Sequence, residues 1–341
     1  MRAWMMMCIG TIAWALAGCR GASTAPVPCK QGASSAKDGG SPILVNSASG
    51  LDQAELGSVV VVGPFSGTYR MLTELIGSGG VTHTGYATAS SPLGPWTKYG
   101  GNSTPASVLA PGAPGTWDDF QVAPGGDDLS FDGTTWHYYY AGRQSSAGYE
   151  VGHARSTGDF TSWTKDANNP VLLLGAKGAW DDTHIGPSGV VLVGTTYNMF
   201  YGGYDGTSWR LGFATASSPN GPWTKYSGNP VFSSASLQAA VVRYDAGGRC
   251  FHMVYSTTTA LNHATSLDGI NWTNDAANPW LGTQPSGCPS GGAFGDAIST
   301  FVDVGGPIYV YGHCYNLPAP PGFRGVSLTE IPGFFAADVL R

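Results

Sequence analysis

One phrase of this sequence occurs twice almost unchanged. Gly85-Tyr-Ala-Thr-Ala-Ser-Ser-Pro-Leu-Gly-Pro-Trp96-Thr-Lys-Tyr returns as Gly212-Phe-Ala-Thr-Ala-Ser-Ser-Pro-Asn-Gly-Pro-Trp223-Thr-Lys-Tyr. Weaker copies run from Gly152-His-Ala-Arg-Ser-Thr to Trp163-Thr-Lys and from Asn262-His-Ala-Thr-Ser to Trp272-Thr. The equivalent alanines, Ala87, Ala154, Ala214 and Ala264, stand 67, 60 and 50 residues apart. That spacing suits a four-stranded blade with loops of variable length and is too long for a short solenoid repeat. Each copy follows an alternating aromatic stretch such as Gly133-Thr-Thr-Trp-His-Tyr-Tyr-Tyr, and a fifth such stretch, Pro307-Ile-Tyr-Val-Tyr, makes five units. Before each lies a β-branched or small-residue run, such as Ser58-Val-Val-Val-Val or Gly189-Val-Val-Leu-Val, expected to be the innermost strand. The predicted fold is therefore all-β, a five-bladed β-propeller over residues 42–341. The end of the chain, Arg324-Gly-Val-Ser-Leu-Thr and Phe334-Phe-Ala-Ala-Asp-Val-Leu, is expected to complete the last blade or pair with the first, closing the ring either way.

Composition agrees. Charged residues make up only 11%, while the chain carries 51 Gly, 11 Trp and 16 Tyr, which favours short strands and tight turns over helices. The net charge is −6 and no Lys/Arg cluster is present to neutralise a phosphate backbone, which argues against nucleic acid as a partner.

Met1-Arg2 precedes an apolar run from Ala3 to Leu16, too short to span a bilayer as a mature helix and read as an export signal. It ends in Leu16-Ala17-Gly18-Cys19, which resembles the bacterial lipobox; an ordinary secretory signal cut nearby is the alternative. Residues 1–19 are thus expected to be a lipoprotein signal with lipid attachment at Cys19. Residues 20–41, rich in Gly, Ser, Ala and Pro, are expected to be a flexible tether. The expected product is a monomer in the cell envelope, at the outer membrane or cell surface, touching the membrane only through its lipid. Cys8 leaves with the signal, so Cys29, Cys250, Cys288 and Cys314 are left for disulfides in three connectivities, of which the pair Cys288 with Cys314, within the fifth unit, is favoured. No CxxC or His/Cys spacing supports a zinc site.

Residues just before the inner strands of a propeller converge at one mouth of its channel, so chemistry is sought there. Those positions hold Asp52 and Glu55, then Trp117-Asp118-Asp119, Trp180-Asp181-Asp182-Thr-His184, Ser236-Leu-Gln238 and Phe294-Gly-Asp296. Carboxylates beside aromatic faces are what glycosidic bond hydrolysis needs. A Trp-Asp-Asp element is equally suited to a turn, its Asp capping backbone N–H groups and its Trp covering the blade. Trp96, Trp163, Trp223 and Trp272 are read as packing between blades, and His137 and His252 as packed within strands. His184 and His313 stand apart as candidates for the site. Serine is abundant, but no Gly-x-Ser-x-Gly elbow supports a serine nucleophile.

These units resemble the five-bladed glycosidase clan that includes glycoside hydrolase families 43, 62, 32 and 130, over roughly residues 42–341. Val122-Ala123-Pro124 is similar to the Trp-Ala-Pro run before the second-blade strand of arabinanases; Ile185-Gly186-Pro187 stands where they have Ile-Asp-Pro, and Leu237-Gln238-Ala239-Ala240 where they have Ile-Glu-Ala-Pro. The resemblance implies a first-blade Asp base, a third-blade orienting Asp and a fourth-blade Glu acid, yet Gly186 and Gln238 occupy the last two positions and neither transfers a proton. It also implies a calcium ion on the axis, held by Asp296 or water, for which the residues give no direct support; no cofactor is expected. Two readings follow. One is a divergent arabinofuranosidase- or xylosidase-type glycosidase in which Glu55, Asp118, Asp119, Asp181, Asp182 or Asp296 supplies the missing groups. The other is an inactive propeller that binds carbohydrate through Asp52, Trp117, Trp180, His184, Gln238, Phe294 and His313. A protein-interaction propeller is a third class.

Overall fold

The computed structural model describes residues 29, 37–38, 44–45, 51–52, 55–77, 79–282, 300–303, 308–314 and 325–331. The leader with Cys19, the fifth-unit residues Cys288, Phe294 and Asp296, and Phe334 to Leu340 lie outside them. Among the described residues all regular structure is β, arranged in four sheets. Each sequence repeat is an antiparallel meander. Their first strands are Glu55–Phe65, Gln121–Phe131, His184–Val193, Leu237–Asp245 and Thr300–Asp303. The first two meanders share one sheet through a parallel bridge, Thr82 to Gln121.

Period-two alternation explains why the first strand of unit one is apolar throughout. Val59 and Val61 point into a cluster with Tyr309 and Tyr311 of unit five, while Val60 and Val62 join Tyr138 and Tyr140 of unit two. Similar slabs lie between units two and three, around Tyr139, Val190 and Met199, and between units three and four, around Phe200, Val242 and Met253. The core is therefore a set of layers between neighbouring meanders. The repeated Trp turns serve it as expected: Trp223 packs edge-on against Tyr139 of the preceding unit at 5.8 Å, and Trp272 against Phe200 at 5.8 Å.

The same contact joins unit one to unit five. Trp96 meets Tyr311 edge-on, and the Tyr311 hydroxyl donates to the Pro92 carbonyl at 2.9 Å, as the Tyr139 hydroxyl does to the Pro219 carbonyl at 2.6 Å. Pro92 and Pro219 occupy the same position in the repeated phrase.

The last sheet gains its outer strands from the start of the chain. Lys37 and Asp38 pair with Glu330 and Thr329, and Leu44 and Val45 with Val326 and Gly325. Cys29 is bonded to Cys250 at the opening of the second strand of unit four. A free tether over 20–41 therefore does not hold at Cys29 and at 37–38, which disulfide and ladder fix in place. Of the three connectivities, the one containing Cys29–Cys250 is also the one that leaves Cys288 for Cys314.

Four first strands meet at Arg243. Its guanidinium forms a bidentate pair with Asp127 of unit two and donates to the Val61 carbonyl at 3.4 Å and to Thr300 Oγ1 at 3.3 Å. Positive charge at this junction already comes from the chain, so the described residues there do not suit a hard cation.

Candidate functional site

A pocket of about 330 Å³ opens where the first strands of units two, three and four begin, walled also by the second strand of unit one. Both positions that the sequence aligned with family carboxylates line it, Gly186 and Gln238, together with Ala123 and Pro124. A Cβ at Gly186 would meet nothing within 4 Å, so this point of the wall has room for a side chain and carries none. Gln238 turns its amide onto the Ser236 and Leu237 carbonyls, at 3.2 and 3.3 Å.

Among the described residues, the carboxylate that lines the pocket is Glu74, in the second strand of unit one, Thr68–Ile76. Its Oε2 accepts the Ser58 N–H at 3.2 Å and its Oε1 accepts Gln121 Nε2 at 3.1 Å. Gln121 Oε1 in turn accepts Arg143 Nε at 3.1 Å, and the Arg143 guanidinium lies 4.7 Å from the centre of the Tyr149 ring. Tyr149 and Trp209 add aromatic surface to the wall, Trp209 stacking on Tyr204 at 4.9 Å. Arg210, also at the wall, is paired with Asp205 at 2.8 Å. His184 sits beside the pocket, its Nδ1 accepting the Tyr149 N–H at 3.2 Å; burial, then Arg143, hold its imidazole below the usual range.

Of the carboxylates that the sequence put forward, the described ones, Asp52, Asp118, Asp119, Asp181 and Asp182, do not line this pocket. Asp118 is buried, receiving Lys165 Nζ at 2.5 Å and the Tyr140 hydroxyl at 3.0 Å. Asp181 repeats the arrangement with Lys225 Nζ at 2.6 Å and the Tyr201 hydroxyl at 3.2 Å, and Asp52 pairs with Lys98. These lysines are the Lys of each Trp-Thr-Lys copy. Asp119 and Asp182 cap turns, accepting the Gly115 and Gly178 N–H groups at 2.6 Å. Trp117 and Trp180 stack on Tyr140 and Tyr201 at 5.7 and 5.6 Å. Gly142 and Gly203 leave space for those indoles, since a Cβ would fall 2.5 and 2.3 Å from the rings. The Trp-Asp-Asp elements are thus built as blade-covering turns. Glu55 opens the first strand of unit one and His313 lies in the strand Ile308–Cys314, but their side chains are outside what is described, as are Phe294 and Asp296.

Asp127 and Asp128 were not foreseen. They sit in a bulge between Pro124 and Leu129, with Asp127 at a positive φ of 44°. Asp128 is fully buried and accepts the Gly125 N–H at 2.7 Å, which fixes one wall of the pocket; burial pushes its carboxyl up to about 8.

Set beside solved structures, the chain has the fold of glycoside hydrolases. A glycoside hydrolase matches with a TM-score of 0.64 at 19% identity, over 84% of this chain and 90% of its own. The family 117 glycoside hydrolase Zg3597 of Zobellia galactanivorans gives 0.64 at 16% identity, over 87% and 90%, and BT0996 in an RGII complex gives 0.62 at 19% identity, over 84% and 90%. No protein-family model and no curated protein matches the sequence.

Proposed function

We propose that the chain is a five-bladed β-propeller that binds carbohydrate in this pocket without hydrolysing it. One observation carries the choice between binding and hydrolysis: a single carboxylate, Glu74, lines the pocket among the described residues, while Gly186 and Gln238 stand at the positions of the family's orienting Asp and acid Glu. Hydrolysis needs two carboxyls about 5 to 9.5 Å apart. Asp118 and Asp181 are engaged with lysines, and Asp119 and Asp182 with turns. Ring closure is supported by the unit-five to unit-one contact that repeats the contact between units two and three.

The test is a panel of aryl and methyl arabinofuranosides, xylosides, galactosides and mannosides, followed for release of the aryl alcohol and for binding by calorimetry. Binding heat without release is the expected result. Release of the aryl alcohol would overturn the reading and direct attention to Glu55 and Asp296, which Glu55→Gln and Asp296→Asn would separate.

The proposal includes a lipid anchor at Cys19. Leu237–Ala240 line the pocket at one end of the first strand of unit four, while Cys250 faces Asp245 at the other end. The anchored segment, fastened at Cys29, thus joins the protein away from the pocket. Cys19→Ser should release the protein from membranes; failure of the wild type to incorporate a labelled fatty acid would refute the anchor.

A further inference from the structure

Strand register makes four units directly comparable. In the second strands, Thr73, Tyr140, Tyr201 and Tyr255 face Gly85, Gly152, Gly212 and Asn262 of the third strands. The residue that follows is Glu74, Ala141, Gly202 and Ser256. Three of these, Glu74, Ala141 and Gly202, line the pocket. Two units hold that wall open with a residue of little or no side chain. Unit one places a carboxylate there instead.

A carboxylate nearly withdrawn from water is a poor choice for stability alone, since its desolvation must be offset by partners. The chain provides them: the Ser58 N–H on Oε2, and on Oε1 the Gln121 amide, itself oriented by Arg143. This fixes the carboxylate plane before any ligand arrives, so little ordering cost is left for binding.

We infer that Glu74 is the residue that grips the saccharide, accepting hydrogen bonds from its hydroxyl groups. The inference rests on the carbohydrate reading above and names the residue that carries it. Tyr149 and Trp209 supply flat apolar surface suited to a sugar ring. The competing role for Glu74 is local, holding the irregular register between Leu56 and Val59 through Ser58.

The experiment is a cycle in protein and ligand. Methyl arabinofuranoside, xyloside, galactoside and mannoside are titrated against wild type to choose the tightest, and its monodeoxy derivatives are then titrated against wild type, Glu74→Gln and Glu74→Asp. A hydrogen bond to a charged group corresponds to about a tenfold to hundredfold change in affinity. Glu74→Gln should weaken the parent sugar by that factor. At least one deoxy derivative should lose as much against wild type and little further against the variant. A deoxy penalty of the same size in wild type and variant would overturn the inference and leave Glu74 its local role. Should Glu74→Gln fail to fold, Glu74→Asp and the wild-type deoxy series still decide it: equal affinity for all deoxy forms refutes the grip. Absence of any saccharide binding by wild type would refute the carbohydrate reading instead, a distinct outcome.

Discussion

Replacing Asp181 by Ala separates a structural carboxylate from a functional one. Its side chain is 4% exposed and accepts Lys225 Nζ and the Tyr201 hydroxyl. After Asp181→Ala the Tyr201 hydroxyl proton has lost its acceptor while its oxygen still receives Asn229 Nδ2 at 3.1 Å. A buried donor without an acceptor costs about 1–3 kcal/mol. The Lys225 side chain is 28% exposed, so its ammonium turns to water and the broken ion pair adds only about 1 kcal/mol. Together these give about 2–4 kcal/mol, which for a chain of this size lowers Tm by about 3–6 °C. Lys225→Met in the same background should cost less than the sum of the two single changes, because the two partners are coupled. Differential scanning calorimetry reads the stability, and titration with the tightest methyl glycoside reads the pocket. Loss of sugar binding with an unchanged Tm would refute the assignment and return Asp181 to the site.

Gly203→Ala should destabilise by about 1–3 kcal/mol or more, because the new methyl meets the Trp180 ring and the Asp181 Cβ; near-ultraviolet circular dichroism should report the displaced indole. Cys29→Ser with Cys250→Ser should lower stability by about 2–5 kcal/mol in chemical denaturation, and wild type under reductant should lose at least as much. Stability should fall with acid. Burial, with the neighbouring imidazole in the first two, holds His153 near about 4 and His252 near about 3, and burial holds His263 near about 4. Below about pH 6.5 the unfolded chain takes up three protons that the native one refuses, while buried Asp128, raised to about 8, works in the opposite direction and returns one. The net slope is about 2–3 kcal/mol per pH unit between roughly pH 6 and 4, and equal denaturation midpoints at pH 7 and pH 5 would contradict it.

The meanders and the blade-packing Trp residues were legible because each rests on local sequence repeated several times. The pairing of Gly186 with Gln238 was legible through the resemblance of their short motifs to those of arabinanases, and both line one pocket. The role of the Trp-Asp-Asp elements was not, since a carboxylate at a strand mouth reads alike whether it faces a ligand or a lysine. A signal was nevertheless present. Lys98, Lys165 and Lys225 accompany Asp52, Asp118 and Asp181, whereas the fourth unit has Asn274 at the lysine position and no Trp-Asp-Asp, its Tyr255 hydroxyl donating to Asn274 at 2.9 Å. Charge and partner vary together within one chain. Glu74 could not be found at the starts of first strands, because it lies near the end of a second strand; only the repeats compared position by position expose it. The pairing of 37–38 and 44–45 with Gly325–Ile331 lay beyond local pattern, because those short segments carry no strand signature of their own.

That pairing imposes an order of assembly. The outer strands of the fifth unit leave the ribosome before units one to four, and their partner leaves it after them. Units one to four can dock in sequence as they emerge, each on its predecessor, but Lys37–Asp38 and Leu44–Val45 must wait for all four before they have a strand to join, a contact of long loop length and of the slow kind to close. Until then both ends of the row present unpaired edges. A chain truncated before Gly325 would therefore be more than a propeller short of one strand: its first segment would have nowhere to go.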